Sequence, residues 1–173
     1  MHKKVTTFLF CLFIFQFANG QSNIFQNISL KGLGGTLKSW EKNVHLIPEH
    51  EPYRANDGSL HTYFELQPSD LPGDLGDEWK QPQTVSSLII RYFDGRMVRG
   101  PITERTQEWA RVQAWIDGEW TDIKTRITGS ETNSVRYTFS PVTTTRIRLL
   151  FSEFADPTSR RFPERLGILC FRI

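Results

Sequence analysis

From about Leu60 to the carboxyl end, apolar and polar positions alternate in short runs. In Ser134 to Phe139, Val135, Tyr137 and Phe139 fall on one side and Arg136 and Thr138 on the other, the period-two signature of a strand with one wet face. Arg146-Ile147-Arg148-Leu149 repeats it. The same reading predicts strands at Leu60–Leu66, Val85–Phe93, Ala110–Ile116, Trp120–Ile127, Ser134–Phe139, Thr144–Phe151 and Leu166–Ile173, with no sustained helical stripe. Asp94-Gly95 and Asp117-Gly118 each follow a strand and tolerate positive φ; the second is expected to join two adjacent antiparallel strands. Pro141 precedes a strand and Pro157 and Pro163 bracket the last long loop, so no proline interrupts a predicted strand. These runs, with an irregular amino-terminal strand, predict an all-β sandwich or barrel. Gly32 to Pro52 has no clear period and is expected to hold a loop or short helix. Asp70, Asp74, Asp77 and Glu78, set around Gly73 and Gly76, read as a solvated loop.

The amino terminus follows a different pattern. His2, Lys3 and Lys4 lead into an apolar stretch from Val5 to Phe17 and then Ala18-Asn19-Gly20, which predicts a secretory signal peptide over residues 1–20 cut before Gln21. The apolar stretch is short for a membrane span of about 20 residues, so no transmembrane segment is expected after cleavage. The rest suits one domain, with residues 21–54 read as an irregular segment carrying the first strand and residues 55–173 as the main domain.

Charge and cysteine content narrow the partners. Lys3 and Lys4 account for the net charge of +2, so the exported chain is near neutral. That argues against the electrostatic capture on which nucleic-acid binding depends. Of the 2 cysteines, Cys11 lies in the leader after Phe10, where lipidation favours a small residue, and Cys170 alone remains. One thiol forms no internal disulfide, a composition ordinary for a bacterial exported domain. Asn27-Ile28-Ser29 fits a glycosylation acceptor. Catalysis is not expected: His45, His50 and His61 have no Ser-His-Asp spacing, paired-His metal motif or phosphate loop beside them.

Five segments, in order, resemble one known family. Ala55-Asn56-Asp57-Gly58-Ser59-Leu60-His61-Thr62-Tyr63-Phe64 has its Asp-Gly turn before a Thr-aromatic strand. Trp79 to Leu88 is similar to its second hairpin, and Val112 to Trp120 to its "strand, Asp-Gly turn, Trp" hairpin. Phe139 to Leu149 is similar to a late strand entry, and Gly167 to Ile173 to a last strand. The chain thus resembles the discoidin, or coagulation-factor type C, domains of the galactose-binding-like superfamily, especially accessory domains of bacterial glycoside hydrolases. The resemblance implies an eight-stranded jelly-roll β-sandwich. It also implies a structural calcium near the Asp-Gly turn, with Asp57 and Thr62 as ligands, although the position of the closing Glu is taken by Cys170, whose thiol is a poor calcium ligand. The other reading of Asp57 is a turn cap.

Ligands of such modules bind loops at one end of the sandwich, through an aromatic face and one or two charged groups. On that basis the candidate contacts are Phe162, with Arg160 and Arg161 able to fork onto vicinal hydroxyls or a uronate, together with Trp109 and the pair Tyr53 and Arg54. The alternative for Phe162 is a loop residue folded onto the sandwich, and for Tyr53 a turn-flanking packing residue. Trp115, out of phase with Val112, Ala114 and Ile116, is a further platform, whereas Trp120 is expected in the core. The function implied is a non-catalytic carbohydrate-binding module, periplasmic, surface-bound or secreted, with a glycan or glycoconjugate as partner. The alternative is a structural or adhesion domain with a protein partner, or an accessory domain of a larger glycan-degrading system.

Overall fold

Two long strands carry the architecture. A computed structural model describes residues 34–42, 44–57, 61–92, 110–131, 134–152 and 166–173. Among them the strands are β1 (Thr36–Lys38), β2 (Phe64–Leu66), β3 (Gly73–Tyr92), β4 (Ala110–Ile116), β5 (Glu119–Asp122), β6 (Arg126–Glu131), β7 (Ser134–Phe151) and β8 (Leu166–Arg172). All pairings are antiparallel. The described helical structure is three short 3₁₀ turns, Pro48–His50, Pro52–Asn56 and Pro68–Asp70.

β3 and β7, 20 and 18 residues long, pair along most of their length, with register shifts between Glu78 and Gln83 and between Val85 and Ser87. A register shift of this kind bends a strand and sharpens its twist. Before the bend, Gly73–Glu78 of β3 and Arg146–Phe151 of β7 are flanked by β1 and by β4 with β5; beyond it, Ser87–Arg91 and Ser134–Thr138 are flanked by β8 with β2 and by β6. Each long strand therefore serves two layers. Leu37, Leu75, Val112, Ile147, Leu149 and Phe151 from the first half join Phe64, Leu66, Leu88, Ile90, Val135, Tyr137 and Ile168 from the second in one buried cluster. The all-β sandwich expected from alternation is present.

β4 has the predicted bounds, and Asp117 (φ 52°) and Gly118 (φ 88°) join it to β5 in a two-residue hairpin with both turn residues left-handed. Other elements differ. Of the predicted Val85–Phe93, the described part Val85–Tyr92 is the tail of β3, which starts at Gly73, so Asp74, Asp77 and Glu78 lie in a strand and not in a solvated loop. Asp74 and Asp77 are 0% exposed and Asp70 3%. Burial of Asp70 and Asp74 is tolerated through partners: Asp70 accepts from the backbone N–H groups of Gln67 (2.7 Å) and His45 (3.3 Å), and Asp74 is held as described below. Ser134–Phe139 and Thr144–Phe151 form a single strand, so Pro141, like Pro82 in β3, does lie inside a strand. Both fall where the β3–β7 ladder shifts and a missing N–H costs little.

Trp120–Ile127 divides into β5 and β6, because Ile123 turns to donate its N–H to the carbonyl of Val112 (2.8 Å). Within Leu60–Leu66 the described strand is Phe64–Leu66, and Gly32 to Pro52 holds β1 and a 3₁₀ turn. Asp94-Gly95, Pro157 and Pro163 lie outside the described residues.

Gly76 marks a close approach of β3 to β7. A Cβ there would meet the Ile147 carbonyl oxygen at 2.2 Å and the Arg148 Cα at 2.7 Å. Gly76→Ala is expected to lower stability by about 1–3 kcal/mol in urea unfolding; an unchanged midpoint would show that the two backbones do not meet there.

Candidate functional site

Register puts one set of side chains on the face of the first layer turned away from the core. Pairing of Gly76 with Arg148, Glu78 with Arg146, Gln113 with Arg148 and Trp115 with Trp120 brings these residues to the same side. Arg148 sits at the centre, its side chain 6% exposed. Its Nη1 donates to Asp74 Oδ2 (3.0 Å) and Glu41 Oε1 (2.9 Å), and its Nε to Gln113 Oε1 (2.9 Å). The other oxygen of Asp74 accepts from the Ser39 hydroxyl (2.6 Å) and from the N–H groups of Trp40 (2.9 Å) and Glu41 (3.1 Å). One buried carboxylate thus ties the segment after β1 onto β3, β4 and β7.

Three half-buried tryptophans complete this face. Trp120 meets Trp40 edge-on at 5.0 Å and Trp115 at 5.2 Å. The guanidinium of Arg148 lies 4.3 Å from the Trp120 ring centre, and that of Arg146 5.0 Å from Trp115, within cation–π range. Trp120 is therefore not in the core as expected, because its pairing with Trp115 places both opposite the fully buried Ala114. Trp40, in a segment without period, gave no signal of its own. The rings are engaged by one another and by arginines, an arrangement that closes the sheet face more than it offers a free platform.

Glu78 receives hydrogen bonds from Lys38 Nζ and from Arg146 Nε (2.8 Å). The Lys38 hydrogen bond, then the charges of Lys38 and Arg146, hold its carboxyl below the ordinary 4.5 against an opposing effect of burial. A lowered folded pKa stabilises above the unfolded value and loses that contribution as pH falls through the folded one. The melting-temperature advantage of the native protein over Glu78→Gln is expected to be constant above about pH 5 and to shrink below about pH 4; a gap that widens in acid would contradict the pairing. Arg148→Ala leaves Asp74 buried without its cation and is expected to cost about 3–5 kcal/mol in urea unfolding, with a loss under about 1 kcal/mol counting against the network.

At one end of the sandwich several chain exits lie together. Ala110 opens β4 and pairs with Phe151, which closes β7 and also pairs with Gly73. Tyr92 closes β3 and pairs with Ile168, while Leu166 opens β8 opposite Leu66. The two layers touch here, since a Cβ on Gly73 would come within 2.9 Å of Leu66 Cδ2. Segments 93–109 and 153–165 therefore leave and rejoin the sheet at neighbouring points, beside the turn from Gln67 to Pro72. Trp109, Arg160, Arg161 and Phe162 belong to those segments and lie outside the described residues.

The remaining predicted residues do meet. Tyr53, 47% exposed, lies against the Arg54 guanidinium, 4.7 Å from ring centre to Cζ. Arg54 Nη1 is 3.7 Å from Asp57 Oδ2, and the same oxygen accepts the Thr62 hydroxyl at 2.7 Å. His50, from the adjoining 3₁₀ turn, stacks on Tyr63 at 4.5 Å.

No protein-family model matches the sequence, and no curated protein is significantly similar to it. Solved structures are similar in fold. The family 32 carbohydrate-binding module of Clostridium perfringens NanJ, solved with galactose, matches at a TM-score of 0.55 and 18% identity over 80% of this chain and 91% of its own. Chitosan-binding module 1 of a chitosanase/glucanase from Paenibacillus sp. IK-5 matches at 0.57 and 16% over 85% and 97%. A putative alpha-L-fucosidase from Bacteroides thetaiotaomicron matches at 0.60 and 17% over 85% of this chain but only 28% of the enzyme. The likeness shows a shared β-sandwich fold.

The galactose-binding-like resemblance implies calcium at Asp57 and Thr62, and the donors can be weighed directly. Calcium takes six to eight oxygens. Among the described residues the turn supplies one carboxylate and one hydroxyl, already joined to each other, with a guanidinium against the carboxylate. Cys170, in β8 opposite Arg91, has no carboxylate to add. No group of three or more His, Cys, Asp and Glu side chains converges anywhere among the described residues. Among the described residues the side-chain donors of this turn fall short of the number calcium takes.

Proposed function

We propose that this chain is a non-catalytic carbohydrate-binding module of an exported protein, taking glycans at the end of the sandwich where segments 93–109 and 153–165 are anchored. The observation that carries the reading is the extent of the structural likeness: modules solved as binders of galactose and chitosan match 80–85% of this chain and 91–97% of their own length. The pairing of Ala110 with Phe151 and of Tyr92 with Ile168 supports the location, since both segments start and finish at adjoining strand ends. In this reading Trp109 and Phe162 present rings to the C–H face of a sugar, and Arg160 and Arg161 fork onto its hydroxyls or a carboxylate. Export rests on the basic, apolar and small-residue succession of residues 1–20.

A protein-docking domain is less well supported. Leu46 and Tyr53 are the large apolar side chains exposed among the described residues, whereas a docking surface presents a contiguous apolar patch. No helix among those residues is long and apolar enough to cross a membrane.

Glycan-array screening followed by affinity electrophoresis tests the proposal. A specific glycan signal is expected, weakened roughly tenfold or more, about 1.4 kcal/mol, in Phe162→Ala and in Trp109→Ala, with melting temperatures close to the parent. Absence of binding to any glycan, or retention of full affinity in both variants, would remove the proposed site.

A further inference from the structure

Asp57 follows the 3₁₀ turn Pro52–Asn56 and precedes β2. Its carboxylate needs a cation or donors there, and two neighbours supply them. Thr62 donates its hydroxyl to Oδ2 at 2.7 Å, and Arg54 brings Nη1 to within 3.7 Å of the same oxygen. Arg54 is itself positioned, because it lies three residues back on the 3₁₀ turn Pro52–Asn56 with its guanidinium over the Tyr53 ring at 4.7 Å. That turn is anchored by Pro52 and by Ala55, the latter 0% exposed in the core cluster. The guanidinium Nε is buried without a hydrogen-bond acceptor, which a freely solvated arginine would avoid.

We infer that Arg54 is the built-in cation of this turn, so that the domain holds Asp57 and Thr62 in place without a divalent metal. A guanidinium is permanently charged and planar and can pair with a carboxylate while stacked on an aromatic ring. Among the described residues the turn offers a single carboxylate, Asp57, and the Arg54 guanidinium stands beside it. Order at the turn then depends on the protein's own charge and not on calcium in the medium. The inference does not rest on glycan binding.

Thermal unfolding with millimolar calcium chloride or with a chelator, alongside calorimetric titration of calcium alone, tests it. The native protein is expected to melt at the same temperature in both conditions, within about a degree, and to give no calcium binding heat. Arg54→Gln is expected to melt a few degrees lower, and Arg54→Lys, which keeps the charge, to recover part of the loss. A saturable calcium-dependent rise in the native protein, reversed by chelator, would overturn the inference whatever the variants do. So would an Arg54→Gln protein as stable as the parent.

Discussion

The pairing of Arg148 with Asp74 is the constraint on which the rest of the described structure depends. A carboxylate with no exposed surface is tolerated only if its charge and lone pairs are met, and Asp74 meets that requirement by drawing β3, β4, β7 and the segment after β1 to one point. Trp40 and Trp115 then pack around Trp120 and shield the arginine from water. The polar cluster and the aromatic lid are mutually dependent. The lid keeps the ion pair in a medium where it is strong, and the ion pair fixes where the lid lands.

With that face closed, the two bent strands decide what is left for recognition. β3 and β7 change layer near Pro82 and Pro141 and bring the start of β3, the end of β7 and the openings of β4 and β8 to one end. Turns and loops can vary there without disturbing the interior, which is why binding groups collect on loops carried by a rigid scaffold. The turn at Asp57 lies at the other end of β2. There the Arg54 guanidinium stands beside Asp57.

Much of the fold was legible because alternation is a local signal. Val135 and Tyr137, and Ile147 and Leu149, read as inward-facing from sequence and are buried, and Asp117-Gly118 named its hairpin. What escaped was set by distant partners. Gly73-Asp74-Leu75-Gly76-Asp77 resembles a loop until Arg148 and Ser39 arrive from elsewhere in the chain to satisfy Asp74. Pro141 read as a strand boundary because the bulge that accommodates it exists only once the two strands pair. Trp40 has no periodic neighbours, and its role follows from Asp74 binding its backbone N–H. Of the candidate site, Tyr53, Arg54, Asp57 and Thr62 were brought together as a contact chain; that Arg54 faces Asp57 could not be read from spacing, because the 3₁₀ turn between them has no hydrophobic period.

The central claim is that a glycan engages the loop end and leaves the tryptophan-lined face untouched. Titrating a glycan that binds into isotopically labelled protein and following amide and indole resonances addresses it directly. The account predicts shifts at Gln67, Asp70, Ala110, Ser152 and Leu166, with the indole signals of Trp115 and Trp120 unmoved. Saturable shifts centred on Trp115, Trp120 and Arg146 with the loop-end amides silent would place recognition on the sheet face and contradict it.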